Sequence, residues 1–71
     1  MKFTVTEIRP DIWELKTETG IFAKIKYVEK WDIYNLYING EYNYGYSKFE
    51  YCLEAFRTFI TNTERVVCSN V

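Results

Sequence analysis

The dipeptide Asn39-Gly40 is the feature that most constrains the fold of this chain. It lies between two runs rich in aromatic and β-branched residues, 31–38 and 41–46. A two-residue type I′ turn needs positive φ at both central positions, and Asn followed by Gly adopts it readily. The sequence therefore predicts a β-hairpin whose register is set by this turn, with Ile38 opposite Glu41.

An uninterrupted register counted back from the turn divides this hairpin into two faces. One face carries mostly aromatic side chains, namely Trp31, Ile33, Tyr37, Tyr42, Tyr44 and Tyr46. The other face carries Tyr34, Leu36, Ile38 and Gly45. Because Gly45 has no side chain, the second face would let a helix approach closely. We therefore expect a helix on the Leu36 face and an accessible tyrosine-rich face.

The rest of the chain predicts further strands and one helix. Residues 2–8, 12–17 and 21–28 alternate apolar and polar side chains and are separated by turn signals at Pro10 and Gly20. Ser47 and Glu50 have the spacing of a helix capping box. After them, apolar residues recur at helical spacing, namely Phe49, Cys52, Leu53, Phe56 and Ile60.

These signals predict an α+β fold: an antiparallel sheet of four or five strands built from hairpins, with one helix of the C-terminal half packed on one face. We expect the helix to end near Asn62 and Thr63. Residues 65–71 include three β-branched valines and favour an edge strand over a frayed tail. At 71 residues, the chain has room for a single small domain, 1–71.

Composition argues against an enzyme. The chain has no His, which removes the commonest general base and the commonest metal ligand. The two cysteines are too few for a four-ligand zinc site without carboxylate help. Cys52 lies in the apolar stripe of the helix and is interpreted as a small core residue, and packing is also favoured for Cys68. We expect no catalytic residues, no metal and no cofactor.

Apolar runs are too short to cross a bilayer, which needs roughly 20 residues, and the first residues lack a secretory apolar region. We therefore expect a cytoplasmic protein with reduced thiols and no membrane partner. Seven Tyr and five Phe, encoded by AT-rich codons, against three Gly and one Pro indicate an AT-rich genome of the kind found in many bacteria and their phages.

Seven tyrosines are hard to bury in so small a domain, because each buried hydroxyl needs a partner. An accessible tyrosine-rich face is typical of protein interfaces. We therefore predict a non-enzymatic protein-binding module that uses Trp31, Tyr37, Tyr42, Tyr44 and Tyr46. A small protein from such a genome suits a phage or mobile-element accessory protein that inhibits a host enzyme or defence complex. The same face, or an edge strand, could also form a homodimer.

Nucleic acid is the alternative partner. One predicted strand interleaves an aromatic ring with basic side chains, and the residues concerned are Phe22, Lys24, Lys26 and Lys30. The net charge of −1 argues against this interpretation, and Glu29, Asp32 and Glu41 interrupt the basic track along the sequence. A second alternative is a subunit of a larger assembly that has no activity alone.

Overall fold

The computed structural model describes residues 3–69, with side chains described for residues 3–63. Five strands form one antiparallel sheet in the order of the chain, and one helix follows them. The elements are β1 Phe3–Arg9, β2 Ile12–Thr17, β3 Phe22–Val28, β4 Ile33–Ile38, β5 Glu41–Tyr46 and α1 Phe49–Ser69. The predicted α+β architecture of hairpins and one C-terminal helix is confirmed.

The hairpin turns follow the predicted turn chemistry. Asn39 and Gly40 have φ of 53° and 85°, as a type I′ turn requires. Gly20, with φ of 97°, ends the turn between β2 and β3, where the Thr17 amide donates to the Ile21 carbonyl over 2.9 Å. Residues 29–32 form the turn between β3 and β4. Trp31 therefore lies in a turn, whereas the sequence predicted it in the strand.

The helix packs on the face of the sheet that the sequence assigned to it. Cys52, Phe56 and Ile60 of α1 are almost completely buried. They form the core with strand residues of β2, β3 and β4, which are Leu15, Ala23, Ile25, Leu36 and Ile38. Aromatic rings close both ends of this layer, because Phe49 packs 4.9 Å from Trp13 and Phe56 packs 5.1 Å from Phe3.

A β-bulge in β5 overturns half of the predicted hairpin register. Tyr37 pairs with Tyr42 as predicted, but Leu36 pairs with Tyr44, so that Asn43 is the extra residue on β5. Beyond this bulge the faces of β5 are exchanged. Tyr34 pairs with Tyr46, whereas the predicted register placed Ile33 opposite Tyr46. Tyr44 and Tyr46 therefore lie on the helix side of the sheet.

The bulge also moves Gly45 to the side of the sheet away from the helix, and the predicted reason for the helix position is therefore wrong. Gly45 pairs with Asn35. A Cβ atom built on Gly45 would lie 2.9 Å from Asn35 Oδ1 and from Ile33 Cγ2, and 3.2 Å from the Tyr42 hydroxyl. Glycine is required here by side chains of the uncovered face and not by close approach of α1.

The helix is longer than expected. Asn62 and Thr63 do not end it, because it continues to Ser69 and takes in much of the segment 65–71 that we expected to be a strand. Each of these two residues costs a helix no more than about 0.7 kcal/mol, and no Gly or Pro follows them. The Thr63 hydroxyl donates to the Phe59 carbonyl over 2.9 Å within the helix.

Candidate functional site

The side of the sheet opposite α1 is covered by no described element, and we call it the open face. Cross-strand partners share a face, so the register assigns its members. From β1 to β5 they are Thr4, Thr6, Arg9, Ile12, Glu14, Lys16, Phe22, Lys24, Lys26, Val28, Ile33, Asn35, Tyr37, Tyr42 and Gly45. The open face therefore combines apolar, aromatic and basic side chains.

Three aromatic rings lie on the open face. Phe22 is 41% exposed and Tyr42 is 60% exposed, although both are large rings. The Tyr42 ring meets the half-buried Tyr37 ring edge to face, with centroids 5.6 Å apart. This contact restricts the orientation of Tyr42 while leaving much of its surface open to a partner.

The charges of the chain are segregated by the fold. Among the described residues, four basic side chains, Arg9, Lys16, Lys24 and Lys26, lie on the open face with a single acidic one, Glu14. Glu7 pairs with Trp13 and Glu41 pairs with Ile38, which places both carboxylates on the helix side. The open face is therefore positively charged although the whole chain carries a net charge of −1.

A shallow concavity of about 340 Å³ lies on the open face. Its lining residues are Ile12, Phe22, Lys24, Lys26, Tyr37 and Gly40. The sequence pattern placed Phe22, Lys24 and Lys26 on one predicted surface and Tyr37 on another, and the structure brings these residues together. Lys16 was missed, although the Gly20 turn could have identified it, because that turn sets Lys16 opposite Phe22.

The predicted tyrosine-rich surface is not a single surface. Tyr37 and Tyr42 lie on the open face, whereas Tyr44 and Tyr46 lie on the helix side with ring centroids 5.0 Å apart. Trp31 is 66% exposed in the turn between β3 and β4. Lys30, the fourth basic residue of the nucleic-acid alternative, lies in the same turn with its Nζ atom 5.4 Å from the centre of the Trp31 ring.

A second surface depression lies between β5 and α1 and has a volume of about 540 Å³. The residues that line it are Tyr46, Tyr51, Glu54, Ala55, Arg57 and Thr58. Tyr51 is 45% exposed beside it, and Tyr44, 60% exposed, lies next to Tyr46. This depression carries both charge signs, unlike the open face.

The surroundings of Cys52, Tyr27 and Tyr46 raise the pKa of each of these side chains. Burial raises the pKa of the Cys52 thiol to about 11, so the thiol is protonated and unreactive at neutral pH. The Cys52 Sγ lies 3.5 Å from the Tyr34 carbonyl oxygen, to which it donates. A hydrogen bond of 2.7 Å to Asp32 raises the pKa of Tyr27. Desolvation raises the pKa of Tyr46.

Within the part of the chain that the structure describes, no group of three or more His, Cys, Asp or Glu side chains could hold a metal ion. Glu50 and Glu54 are exposed on α1, as expected for a solvated helix face. Cys68 belongs to α1, but its side chain lies outside the described residues.

Each edge of the sheet is interrupted by a bulge. On β1 the bulge residue is Ile8, between Glu7 and Arg9, and on β5 it is Asn43. Bulges bend and twist an edge strand and so disfavour continuous pairing with a second sheet. The bulges therefore argue against the expected homodimer through an edge strand.

Over residues 3–69, the structure contains no helix that is both long and apolar enough to span a membrane. No family model, curated protein or solved structure matches this chain. The open face and the depression beside β5 are therefore interpreted from their own geometry and chemistry.

Proposed function

We propose that this protein is a non-enzymatic module that binds nucleic acid through the open face of its sheet. The observation that supports this most is the segregation of charge, which gathers Arg9, Lys16, Lys24 and Lys26 on one uncovered surface. Nucleic acid is a polyanion, and its affinity for a protein comes largely from the counterions that Lys and Arg displace from phosphates.

The net charge of −1 argued against nucleic-acid binding, but the affinity for nucleic acid depends on the electrostatic field at the binding surface. Glu41, which interrupts the basic track along the sequence, lies on the helix side of the sheet. Glu29 and Asp32 belong to the turn between β3 and β4, beyond the end of the strands. Of the acidic residues that the structure describes, only Glu14 remains on the open face, opposite Lys24.

The aromatic rings of the open face add a second kind of contact. Phe22 and Tyr42 are exposed beside the lysines of β3, so a bound strand could place phosphates on lysines and bases on rings. Protein interfaces are by contrast depleted of Lys in their centres. The combination of lysine and exposed aromatic rings therefore favours nucleic acid over protein as the partner of this surface.

Charge reversal tests the proposal. Lys24→Glu with Lys26→Glu should abolish the binding of a labelled oligonucleotide at low salt, measured by fluorescence anisotropy. Lys30→Glu with Lys48→Glu makes the same change of net charge away from the open face and should bind with near wild-type affinity. Wild-type affinity should fall steeply between about 50 and 200 mM salt.

Circular dichroism would establish that both double variants are folded. If the wild-type protein binds no oligonucleotide at low salt, or if the two double variants weaken binding equally, the open face is not a nucleic-acid site.

Protein binding is the second candidate, and the depression between β5 and α1 favours it. Tyr44, Tyr46 and Tyr51 give that surface rigid aromatic area with polar hydroxyl groups, and Glu54 and Arg57 supply both charge signs. Inhibition of a host enzyme by a phage or mobile-element protein would use this surface. Affinity capture from a lysate should then yield one stoichiometric protein. Its capture should persist after nuclease treatment and should be lost with the Tyr44→Ala variant.

A further inference from the structure

We infer that the open face takes single-stranded nucleic acid in preference to duplex, with bases stacked on Phe22 and Tyr42; this inference rests on the proposed nucleic-acid function. Both side chains are exposed, and both lie on the same face as Lys24 and Lys26. Stacking on aromatic side chains needs an unpaired base whose flat surface is accessible, and a duplex does not offer one.

The width of the sheet also disfavours a duplex. Five strands spaced about 4.8 Å apart span about 19 Å, whereas the major groove of B-DNA is about 12 Å wide. A two-stranded ribbon or a helix fits that groove, but this sheet does not. The helix is no substitute, because one side of α1 is buried in the core and its exposed side carries Glu50 and Glu54.

The register sets the separation of the two stacking rings. Tyr42 pairs with Tyr37 and Tyr37 pairs with Lys24, which is two residues from Phe22 on β3. Two strand spacings and one two-residue step place the Cα atoms of Phe22 and Tyr42 roughly 12 Å apart. Because a stacked nucleic-acid strand advances about 3.4 Å per nucleotide, this Cα span corresponds to no more than about four nucleotides.

The lysines lie where the backbone of such a strand would run. Lys24 lies between Phe22 and Lys26 along β3 and beside Tyr37 across to β4, while Lys16 lies opposite Phe22 on β2. Tyr37 supports Tyr42 through their edge-to-face contact at 5.6 Å. The bound nucleic acid therefore crosses β3, β4 and β5. Its phosphates lie near the lysines of β3, and two of its bases stack on Phe22 and Tyr42.

Two tyrosines of β5 provide a matched test. Tyr42 and Tyr44 are each 60% exposed and belong to the same strand, but they lie on opposite sides of the sheet. Tyr42→Leu should weaken binding of a labelled oligothymidylate of about 20 nucleotides at least about fivefold, whereas Tyr44→Leu should change it less than about twofold. Phe22→Leu provides a second open-face variant and should resemble Tyr42→Leu.

Duplex competition and strand length complete the experiment. The wild-type protein should prefer the single strand to a duplex of equal length at least about tenfold, and affinity should fall once the oligothymidylate is shorter than about four nucleotides. Tyr42→Leu keeps every charge, so the dependence of its affinity on salt should equal that of the wild-type protein.

The outcomes separate this inference from the proposed function. If duplex binds as tightly as single strand, or if the open-face variants bind as well as Tyr44→Leu, the single-strand inference is overturned. An effect of Lys24→Glu with Lys26→Glu would then still support nucleic-acid binding. If neither form of nucleic acid binds, the inference and the proposed function both fall.

Discussion

Gly45→Ala tests the bulge that decides which side chains share the open face. The new Cβ would lie 2.9 Å from both Asn35 Oδ1 and Ile33 Cγ2, closer than real Cβ contacts. The side-chain and backbone shifts that such an added group forces usually cost about 1–3 kcal/mol of stability. Replacing Gly by Ala also reduces the entropy of the unfolded chain, which stabilises by about 0.4–1 kcal/mol. We therefore expect a net destabilisation of about 1 kcal/mol.

A double-mutant cycle isolates the contact from the entropy effect. Asn35→Ala removes one of the two closest atoms, whereas the effect of Ala on the unfolded chain is the same in both backgrounds. Gly45→Ala should therefore cost at least about 0.5 kcal/mol less when Asn35 is already Ala. The free energies of unfolding would come from urea titrations followed by circular dichroism.

The control cycle pairs Gly45→Ala with Cys52→Ala. Without the bulge, Gly45 would lie opposite Tyr34, whose carbonyl accepts a hydrogen bond from Cys52. Because the bulge turns Gly45 away from the helix, these two substitutions should be additive within about 0.3–0.5 kcal/mol. Coupling with Cys52 together with additivity at Asn35 would refute the bulge, the exchange of faces and the composition of the open face that depends on them.

Three further predictions concern the core, a turn and a buried thiol. Phe56→Ala should cost about 3–5 kcal/mol in urea denaturation, because the ring is completely buried against the sheet. Gly40→Ala should cost about 1–2 kcal/mol in the same assay, because φ of 85° strains an L residue, and a cost near zero would contradict the type I′ turn. Burial raises the pKa of Cys52 from 9.0 to about 11, so the unfolded chain loses that proton first and the free energy of unfolding should fall between about pH 9 and pH 11. The decrease due to this thiol is at most about 2–3 kcal/mol and should be absent in Cys52→Ala.

Local signals were enough to predict the five strands and the presence of one helix after them. Asn39-Gly40 and Gly20 specify turns because few residues accept positive φ, and this information resides in single residues. The stripe of Cys52, Phe56 and Ile60 predicted the buried side of α1, because helical spacing places these residues on one side wherever the helix packs. The assignment of the helix to the Leu36 face was correct, although the reason based on Gly45 was wrong.

The division of the tyrosines between two sides of the sheet could not be predicted, because the alternation of residues in β5 gives no sign of a bulge. Tyr42, Tyr44 and Tyr46 alternate without interruption in the sequence. The bulge at Asn43 nevertheless separates Tyr42 from the other two. It places Tyr46 beside the core and α1, where the ring loses water contact, and an uninterrupted strand would have left this ring on the open face.

The sequence by itself determined the strands, their turns and the amphipathic helix, since each depends on neighbouring residues. The continuation of α1 past Asn62 and Thr63 was not predicted. Weak helix formers lower the stability of a helix slightly and do not end it. Only the tertiary structure decided which aromatic rings share a surface with the lysines. Tyr42 shares the open face with Lys24, whereas Tyr44 and Tyr46 lie on the helix side, because antiparallel pairing and the bulge at Asn43 set the side on which each side chain emerges.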